Sequence, residues 1–505
     1  MNISSLKKII YLLLITTSIV ISTNLKAQIP EAPYQSNWES LSKYKCPEWF
    51  KDAKFGIFIH WGVYSVPAFG SEWYPRWMYK DTVAWGNNYY QHHIKTYGTQ
   101  DKFGYKDFIP MFKAEKFDAD TWVKLFKKSG AKYIIPVAEH HDGFAMYNTV
   151  LSRWNSVNMG PKRDIIGELA EASHKQGLTF GLSSHRIEHW WFMGEGTKFN
   201  SDVNDPQFAD FYGPAKVHDP FNPKAKSPTM TPEFMNDWLL RCTELVDKYH
   251  PQVFWFDWWI EQSELEPYRK SFASYYYNHA KQWNKEVVLN YKHDAFPENV
   301  AVFDIERGST KATKKYPWQT DTAIGKKAWG YIDGEDNKTP NEIVDAMIDI
   351  VSKNGNLLLN ISPKADGTIT SEQTNVLLAI GKWLDVNGEG IYGSRPWIVA
   401  GEGPTESPKD NVQFNEYNKK PFTAKDIRFT TKDGKVYVFL LDIPEKKVSI
   451  SALSKIAGHG LVEKVELLGS NETVRWVQNK NSLDITPTKN DSSTIAICYR
   501  LTLKK

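Results

Sequence analysis

The sequence predicts an α/β fold, a (β/α)8 barrel of TIM type followed by a C-terminal antiparallel β-sandwich. Three observations carry this expectation. Short, near-continuous apolar runs recur between residues 55 and 362, as in strands buried on both faces of a parallel sheet. Capped helical patterns stand between several of them. Most runs are apolar first and polar last, and barrel enzymes carry their active sites at the C-terminal ends of the strands.

The runs, in order, are "FGIFIHWG" (Phe55–Gly62), "AKYIIPVAEHH" (Ala131–His141), "LTFGLSSHR" (Leu178–Arg186) and "VFWFDWW" (Val253–Trp259). The second half reads "EVVLNYK" (Glu286–Lys292), "AVFDIER" (Ala301–Arg307), "AWGYID" (Ala328–Asp333) and "NLLLNIS" (Asn356–Ser362). Their terminal polar residues include His60, His140, His141, His185, Asp257, Asn290, Lys292, Glu306 and Asn360. Packing alone would scatter such residues along the strands.

Helices are expected over Asp118–Gly130 and Asp164–Gly177, each opening on an Asp cap and closing on Gly. Thr231–His250 and Thr339–Gly355 begin with Thr-Pro, a cap followed by a favoured first residue. Thr370–Gly388 closes the barrel, and Phe192–Pro220 reads as a long loop over the exit of the third strand. After residue 397 alternating short strands and an Asp-Gly turn indicate a sandwich of about 100 residues. The expected division is a leader at 1–27, a barrel at 28–397 and the sandwich at 398–505.

The leader rests on Lys7 and Lys8, the apolar stretch Ile9–Ile21 and a small residue, Ala27, before the expected cleavage. That apolar stretch is too short to span a bilayer comfortably, so a secretory signal and an exported, periplasmic or secreted protein are expected. A net charge of +3 gives no sign of nucleic acid or an anionic membrane as partner. Three cysteines, Cys46, Cys242 and Cys498, are too few for a disulfide framework. Twenty Trp among 505 residues suit a protein that stacks sugars on rings, although an aromatic core would use them equally.

Asp257 lies among Phe254, Trp255, Phe256, Trp258 and Trp259, where an ionised carboxylate loses hydration that its neighbours in sequence do not replace. A strand end facing a cleft accounts for this placement. Glu306 ends another strand, with Asp304 on the same face. Retaining hydrolysis of a glycoside needs a nucleophilic carboxylate and an acid/base carboxyl about 5–5.5 Å apart, which neighbouring strand ends deliver. The bland alternatives are a turn-capping Asp257 and a Glu306 paired with Arg307 or another base. A zinc or binuclear hydrolase built on His60, His140, His141 and Asp257 is the minor reading. It lacks the H-x-H spacing on one strand, and adjacent His140 and His141 share a ligand only if the strand ends there.

The stretches "FGIFIHWGVYSVPAFGSEWYPRWM", "HHDGFAMYNTVLSRWN", "RDIIGELA", "WFDWW", "GNLLLNISPKADGTI" and "IGKWLDVNGEGIYGSRPW" together resemble the family 29 glycoside hydrolases, the retaining α-L-fucosidases. The resemblance runs from about residue 45 to 397. It implies a barrel, a covalent glycosyl-enzyme, no metal or other cofactor, and a fucosylated oligosaccharide or polysaccharide as partner. It places the nucleophile at Asp257, and His60, Glu72, Trp73, His140 and His141 around the sugar, with Trp255 in the pocket wall. Glu306 is the expected acid/base, with Glu298 and Glu188 as rivals.

Three departures from the family pattern bear on the sugar. Glu139 stands where the family usually has Lys, reversing a local charge. "GLSSHRIEHWW" replaces a "GLYYS"-like strand end, so a ring is absent at Ser183 and Ser184, and His185, Trp190 or Trp191 is left to fill its place. Lys292 stands where an Arg is usual. L-Fucose is 6-deoxy-L-galactose, so a pocket with an added polar group near the methyl would prefer L-galactose. An α-L-galactosidase of the same mechanism is therefore the alternative, and a carbohydrate-binding protein with a dead site the remote one.

Overall fold

The computed structural model describes residues 32–222, 224–405, 413–418, 420–487 and 495–504. The expected leader and its cleavage after Ala27 lie outside the described residues. Eight parallel strands close into a barrel. They are β1 (Phe55–Ile59), β2 (Tyr133–Glu139), β3 (Thr179–Ser184), β4 (Val253–Phe256), β5 (Val288–Tyr291), β6 (Val302–Glu306), β7 (Trp318–Ala323) and β8 (Gly355–Ile361). Closure is made by β1 on β8, with Phe58 beside Asn360.

Alternation sorts the strand residues. Phe58, Tyr133, Ile135, Val137, Val253, Trp255, Val288, Val302 and Leu358 pack together inside the barrel. The Phe58 and Trp255 rings, from strands that are not neighbours, lie 4.8 Å apart across it. Ile57, Ile59, Ile134, Phe254, Phe256 and Leu289 face outward and pack in the helical layer. The helices start where their caps lie: Asp118 accepts from the Thr121 N–H at 2.7 Å and Asp164 from the Gly167 N–H at 2.9 Å. Thr339 and Glu342 cap each other's backbone reciprocally. A further helix, Glu266–Gln282, has no side-chain cap to announce it, yet buries Arg269, Phe272, Ala273, Tyr276, Tyr277 and Ala280 at helical spacing. No helix among the described residues is long and apolar enough to cross a membrane.

The seventh strand corrects the sequence reading. It is Trp318–Ala323, not Ala328–Asp333. Its sequence "WQTDTA" escapes a search for apolar runs because Gln319 and Asp321, which face inward, are polar, and Gln319 is satisfied by the barrel interior. Gln319 donates to Asp304 Oδ2 at 2.6 Å and accepts from the Tyr133 hydroxyl at 2.7 Å. Ala328–Asp333 instead forms a loop over the mouth, where the N–H groups of Trp329 and Gly330 donate to Glu72 Oε2 at 2.8 and 3.2 Å. The stretch Phe192–Pro220 is a chain of short turns, including Gly194–Lys198, Asp202–Asn204 and Ala209–Tyr212.

Beyond the barrel, β9 (Arg395–Glu402), β10 (Ile427–Lys432), β11 (Lys435–Leu440), β12 (Val448–Ile450), β13 (Val462–Leu467), β14 (Arg475–Gln478), β15 (Leu483–Thr486) and β16 (Ile497–Leu503) form two antiparallel sheets. Their orders are β13-β16-β11-β10-β9 and β12-β15-β14, and β9 runs across the expected boundary at 397. Asp433 and Gly434, at φ 50° and 72°, make the β10–β11 turn. Phe429, Val438, Leu440, Ile450, Leu483, Ile485 and Tyr499 form a core between the sheets. Buried Arg428, 2.6 Å from Asp349, ties this module to a barrel helix. All three cysteines are free, with Cys242 and Cys498 buried.

The reversed charge at Glu139 has a structural cause. Its two oxygens lie 3.1 Å from Arg186 and 3.3 Å from Arg241, both buried, and Asp237 joins the two guanidiniums from the other side. Removing one carboxylate leaves two buried cations sharing the other. Glu139→Ala is expected to destabilise the fold by about 3–5 kcal/mol, read as a shift in the midpoint of urea unfolding. An unchanged midpoint would show that Asp237 alone compensates both.

Candidate active site

Seven of the eight strands deliver a polar side chain to one cavity of about 1020 Å³ at the C-terminal mouth of the barrel. From β1 comes His60. Asn360 on β8 accepts from the His60 N–H at 3.0 Å and stands 2.8 Å from its Nδ1. The Asn360 amide nitrogen donates to the Trp329 carbonyl at 2.7 Å, so its oxygen faces His60. Nδ1 is therefore the protonated nitrogen, and Nε2 is left as an acceptor. Burial, then the neighbouring His185, hold this ring well below the ordinary histidine range.

The second strand ends at Glu139, and the chain turns, so adjacent His140 and His141 both line the cavity. His140 is buried and held neutral by burial and its histidine neighbours, with Nδ1 lacking a partner among the described residues. His141 behaves oppositely. Its Nδ1 lies 3.1 Å from Glu188 and its Nε2 3.6 Å from Asp257. Burial alone would lower its pKa, but Glu188 and Asp257 outweigh burial and raise it to about 9.

His185 follows β3, and its Nδ1 stands 2.9 Å from Asp257 Oδ2 while its Nε2 stands 2.9 Å from the Ser183 hydroxyl. Burial pushes its pKa down to about 4 despite Asp257. The neutral ring then donates through Nδ1 to the carboxylate and accepts from Ser183 at Nε2. This gives Ser183 a role that no motif announced.

Asp257 stands just past β4 and is 7% exposed. Its hydration is replaced by three donors: His185, the Trp258 N–H at 2.9 Å and the Lys292 ammonium at 3.3 Å. Burial would raise its pKa, yet Lys292 and then His185 hold it well below the carboxylate range. Lys292, just past β5, also lies 2.6 Å from Glu306 and 3.5 Å from Asp321. Its ammonium sits 4.8 Å above the Trp255 ring. Burial disfavours that charge, but Asp321, Glu306 and Asp257 together raise its pKa.

Glu306 ends β6, and burial, opposed by Lys292 and reinforced by the Asp257 charge, raises its pKa. One ammonium touches both carboxyl groups, so their nearest oxygens lie closer than the roughly 6.5–9.5 Å of inverting glycosidases and within reach of the retaining separation. The site thus pairs an ionised carboxylate with a carboxyl held toward its protonated form.

All ten residues expected around the sugar line this cavity: His60, Glu72, Trp73, His140, His141, His185, Trp255, Asp257, Lys292 and Glu306. The other candidates fall elsewhere. Glu188 is fully buried behind His141, where burial pushes its carboxyl up to about 8. Glu298 borders a separate depression with Trp38 and Phe296, 3.9 Å from Lys314. Trp190 and Trp191 are core residues, donating to the Pro228 carbonyl and lying beneath Arg76 at 4.8 Å respectively. Of the residues offered for the missing ring, His185 alone lines the cavity.

Sequence reasoning missed Asp321, which enters from the misplaced β7. Burial and Asp304 raise its pKa well above the carboxylate range. It also missed Gln413 and Phe414, which follow the barrel by sequence but reach back to the site. The Glu306 N–H donates to the Gln413 side chain, and the Phe414 N–H donates to the Glu306 carbonyl at 2.7 Å. Ring nitrogens of His60, His140 and His185 lie within 4.8 Å of one another, as do donor atoms of His141, His185 and Asp257. Either set has metal-binding chemistry. At Asp257, however, the cation position is held by Lys292, and both His185 nitrogens already have partners.

A family model described as "Alpha-L-fucosidase" matches residues 21–389, and one for the alpha-L-fucosidase C-terminal domain matches 419–504. The tissue alpha-L-fucosidase of Rattus norvegicus is 31% identical over 463 residues, 88% of this chain and 86% of that protein. The alpha-L-fucosidase of Dictyostelium discoideum is also 31% identical, with 87% of each chain covered. Among solved structures, the Thermotoga maritima alpha-fucosidase is similar at a TM-score of 0.71 and 30% identity, covering 93% of this chain and 100% of that one.

Proposed function

The chain belongs to the alpha-L-fucosidase family of glycoside hydrolases, and from that premise we propose that it is an exported, exo-acting enzyme. It releases α-linked L-fucose by double displacement, with Asp257 as nucleophile and Glu306 as acid/base. The observation that carries this reading is the shared Lys292 contact, which joins the two carboxyl groups while their surroundings drive their protonation apart.

The chemistry follows from that separation. In the first step the Asp257 carboxylate attacks the anomeric carbon while the Glu306 carboxyl gives its proton to the glycosidic oxygen, and the bond to the leaving group breaks. Asp257 is then an ester and no longer an anion. Its charge is one of the causes that raise the Glu306 pKa, so esterification lowers it. Glu306 is thereby turned from acid into base, ready to take a proton from the water that attacks the ester. Two inversions leave the released sugar with its original α configuration. His60, with Nε2 free to accept, and Glu72 are placed to take hydrogen bonds from sugar hydroxyls.

The test is a panel of nitrophenyl glycosides, with the first-formed anomer followed by NMR. Release of α-L-fucose supports the reading; the β-anomer, or cleavage of some other glycone alone, removes it. The sequence around Lys7, Lys8 and Ala27 supports export. Exported material is expected to begin at Gln28 on N-terminal sequencing, and a protein retaining Met1 in the membrane would overturn that part.

A further inference from the structure

One wall of the cavity is aromatic and open to solvent. Trp85 and Phe221 are 55% and 54% exposed, and contiguous exposed apolar side chains, unlike scattered single ones, mark binding sites. They come from distant parts of the chain, yet their rings lie 6.0 Å apart, and both line the cavity that holds Asp257. Trp73 joins them inward, 5.7 Å from Trp85 and 5.5 Å from Phe221, and its ring lies 5.4 Å from His141. The wall therefore runs without a break from the rim to the reacting carboxylate.

The backbone at Trp85 is unusual. Ala84 and Asn87 exchange N–H···O bonds at 2.9 and 3.0 Å, closing a two-residue turn in which Trp85 and Gly86 both have positive φ, 48° and 79°. Asn-Gly is the favoured pair for such a turn, and a bulky residue there is strained. Strain of this kind is retained where it positions a contact. Here it stands an indole at the mouth of the cavity instead of folding it into the core.

We propose that Trp85 and Phe221 form the subsite for the leaving group, and that its occupant is a pyranose ring stacked by its C–H face on the indole. This rests on the fucosidase reading above. The cavity, at about 1020 Å³, is at the top of the range that holds drug-sized ligands, and a single six-carbon sugar leaves much of it unfilled. A sugar whose anomeric carbon meets Asp257 points its glycosidic oxygen toward the rim. The next ring then meets the wall, with Asn87 and His92 in the same lining to bond its hydroxyls. The residue pair thus selects for a hexopyranose next to the fucose.

The test compares kcat/KM for α-L-fucosyl fluoride, which has no leaving-group ring, with that for disaccharides carrying α-L-fucose on each hydroxyl of a D-hexopyranose. Trp85→Ala should lower kcat/KM on the best disaccharide about tenfold or more while leaving the fluoride within about twofold, and Trp85→Phe should recover most of the loss. An equal loss on both substrates, or no loss on either, overturns the subsite. So does a wild-type enzyme that cleaves the fluoride and none of the disaccharides. In each of these cases fluoride cleavage keeps the fucosidase reading intact, whereas a wild type inert toward the fluoride removes both.

Discussion

Asp257→Gly is expected to lose on the order of 10⁴-fold or more in kcat on a nitrophenyl α-L-fucoside, because with Asp257 as the proposed nucleophile no covalent intermediate forms in its absence. The cost of burying this carboxylate is met by three donors, at 2.9 Å from His185, 2.9 Å from the Trp258 N–H and 3.3 Å from Lys292. In the glycine variant those donors face an empty position of about the volume of a small anion. Azide should bind there, attack the anomeric carbon from the same side and restore turnover, giving a β-fucosyl azide. Mass spectrometry of the wild type with a slow-turnover 2-fluoro fucoside should place the label on Asp257. Labelling elsewhere, or a glycine variant that keeps its activity, would remove Asp257 from the mechanism.

Glu306→Ala separates substrates by leaving group. General acid catalysis is worth about 10²–10⁴-fold, and it matters most when the departing oxygen is a strong base. Disaccharides should lose that whole factor, while nitrophenyl fucosides, whose leaving group departs without a proton, should lose far less in the first step. Azide should then give the α-azide, by attack on the glycosyl-enzyme without base assistance. The pH dependence follows with a definite sign. In the proposed mechanism activity needs Asp257 ionised and Glu306 protonated, and the Glu306 pKa is raised above its ordinary 4.5. The fall of kcat/KM on the alkaline side should therefore lie above pH 4.5 in the wild type and vanish from the nitrophenyl fucoside profile of the alanine variant. Equal losses on good and poor leaving groups would overturn the assignment, and Glu188→Ala and Glu298→Ala then discriminate the rivals. Neither rival lines the cavity: Glu188 is buried behind His141 and Glu298 borders a different depression.

What could be read from the amino-acid order was whatever depends on local periodicity and position. Seven of the eight barrel strands were legible as apolar runs, as were the helices that begin at Asp118, Asp164, Thr231, Thr339 and Thr370. A residue just past the end of a parallel strand must face the mouth, so His60, His140, His141, His185, Asp257 and Lys292 could be placed in one site without coordinates. The seventh strand could not be read this way. "WQTDTA" is buried through hydrogen bonds to Asp304 and Tyr133, partners on other strands that no local pattern reveals.

Only the tertiary structure decided how the charges are distributed. Protonation depends on distances through space, and Lys292 meets Asp257, Glu306 and Asp321 from positions 35, 14 and 29 residues away in the chain. The same holds for Glu139, whose reversed sign looked anomalous until buried Arg186 and Arg241 stood beside it. It holds too for Gln413 and Phe414, which lie beyond the barrel in sequence and reach the backbone of Glu306. The sequence alone determined which side chains the seven legible strands bring to the mouth of the barrel, because strand periodicity is a local property, but not Asp321, Gln413 or Phe414. Which of them are ionised, and which ring meets the leaving group, was decided by the fold, because electrostatic and stacking energies depend on separation in space and not along the chain.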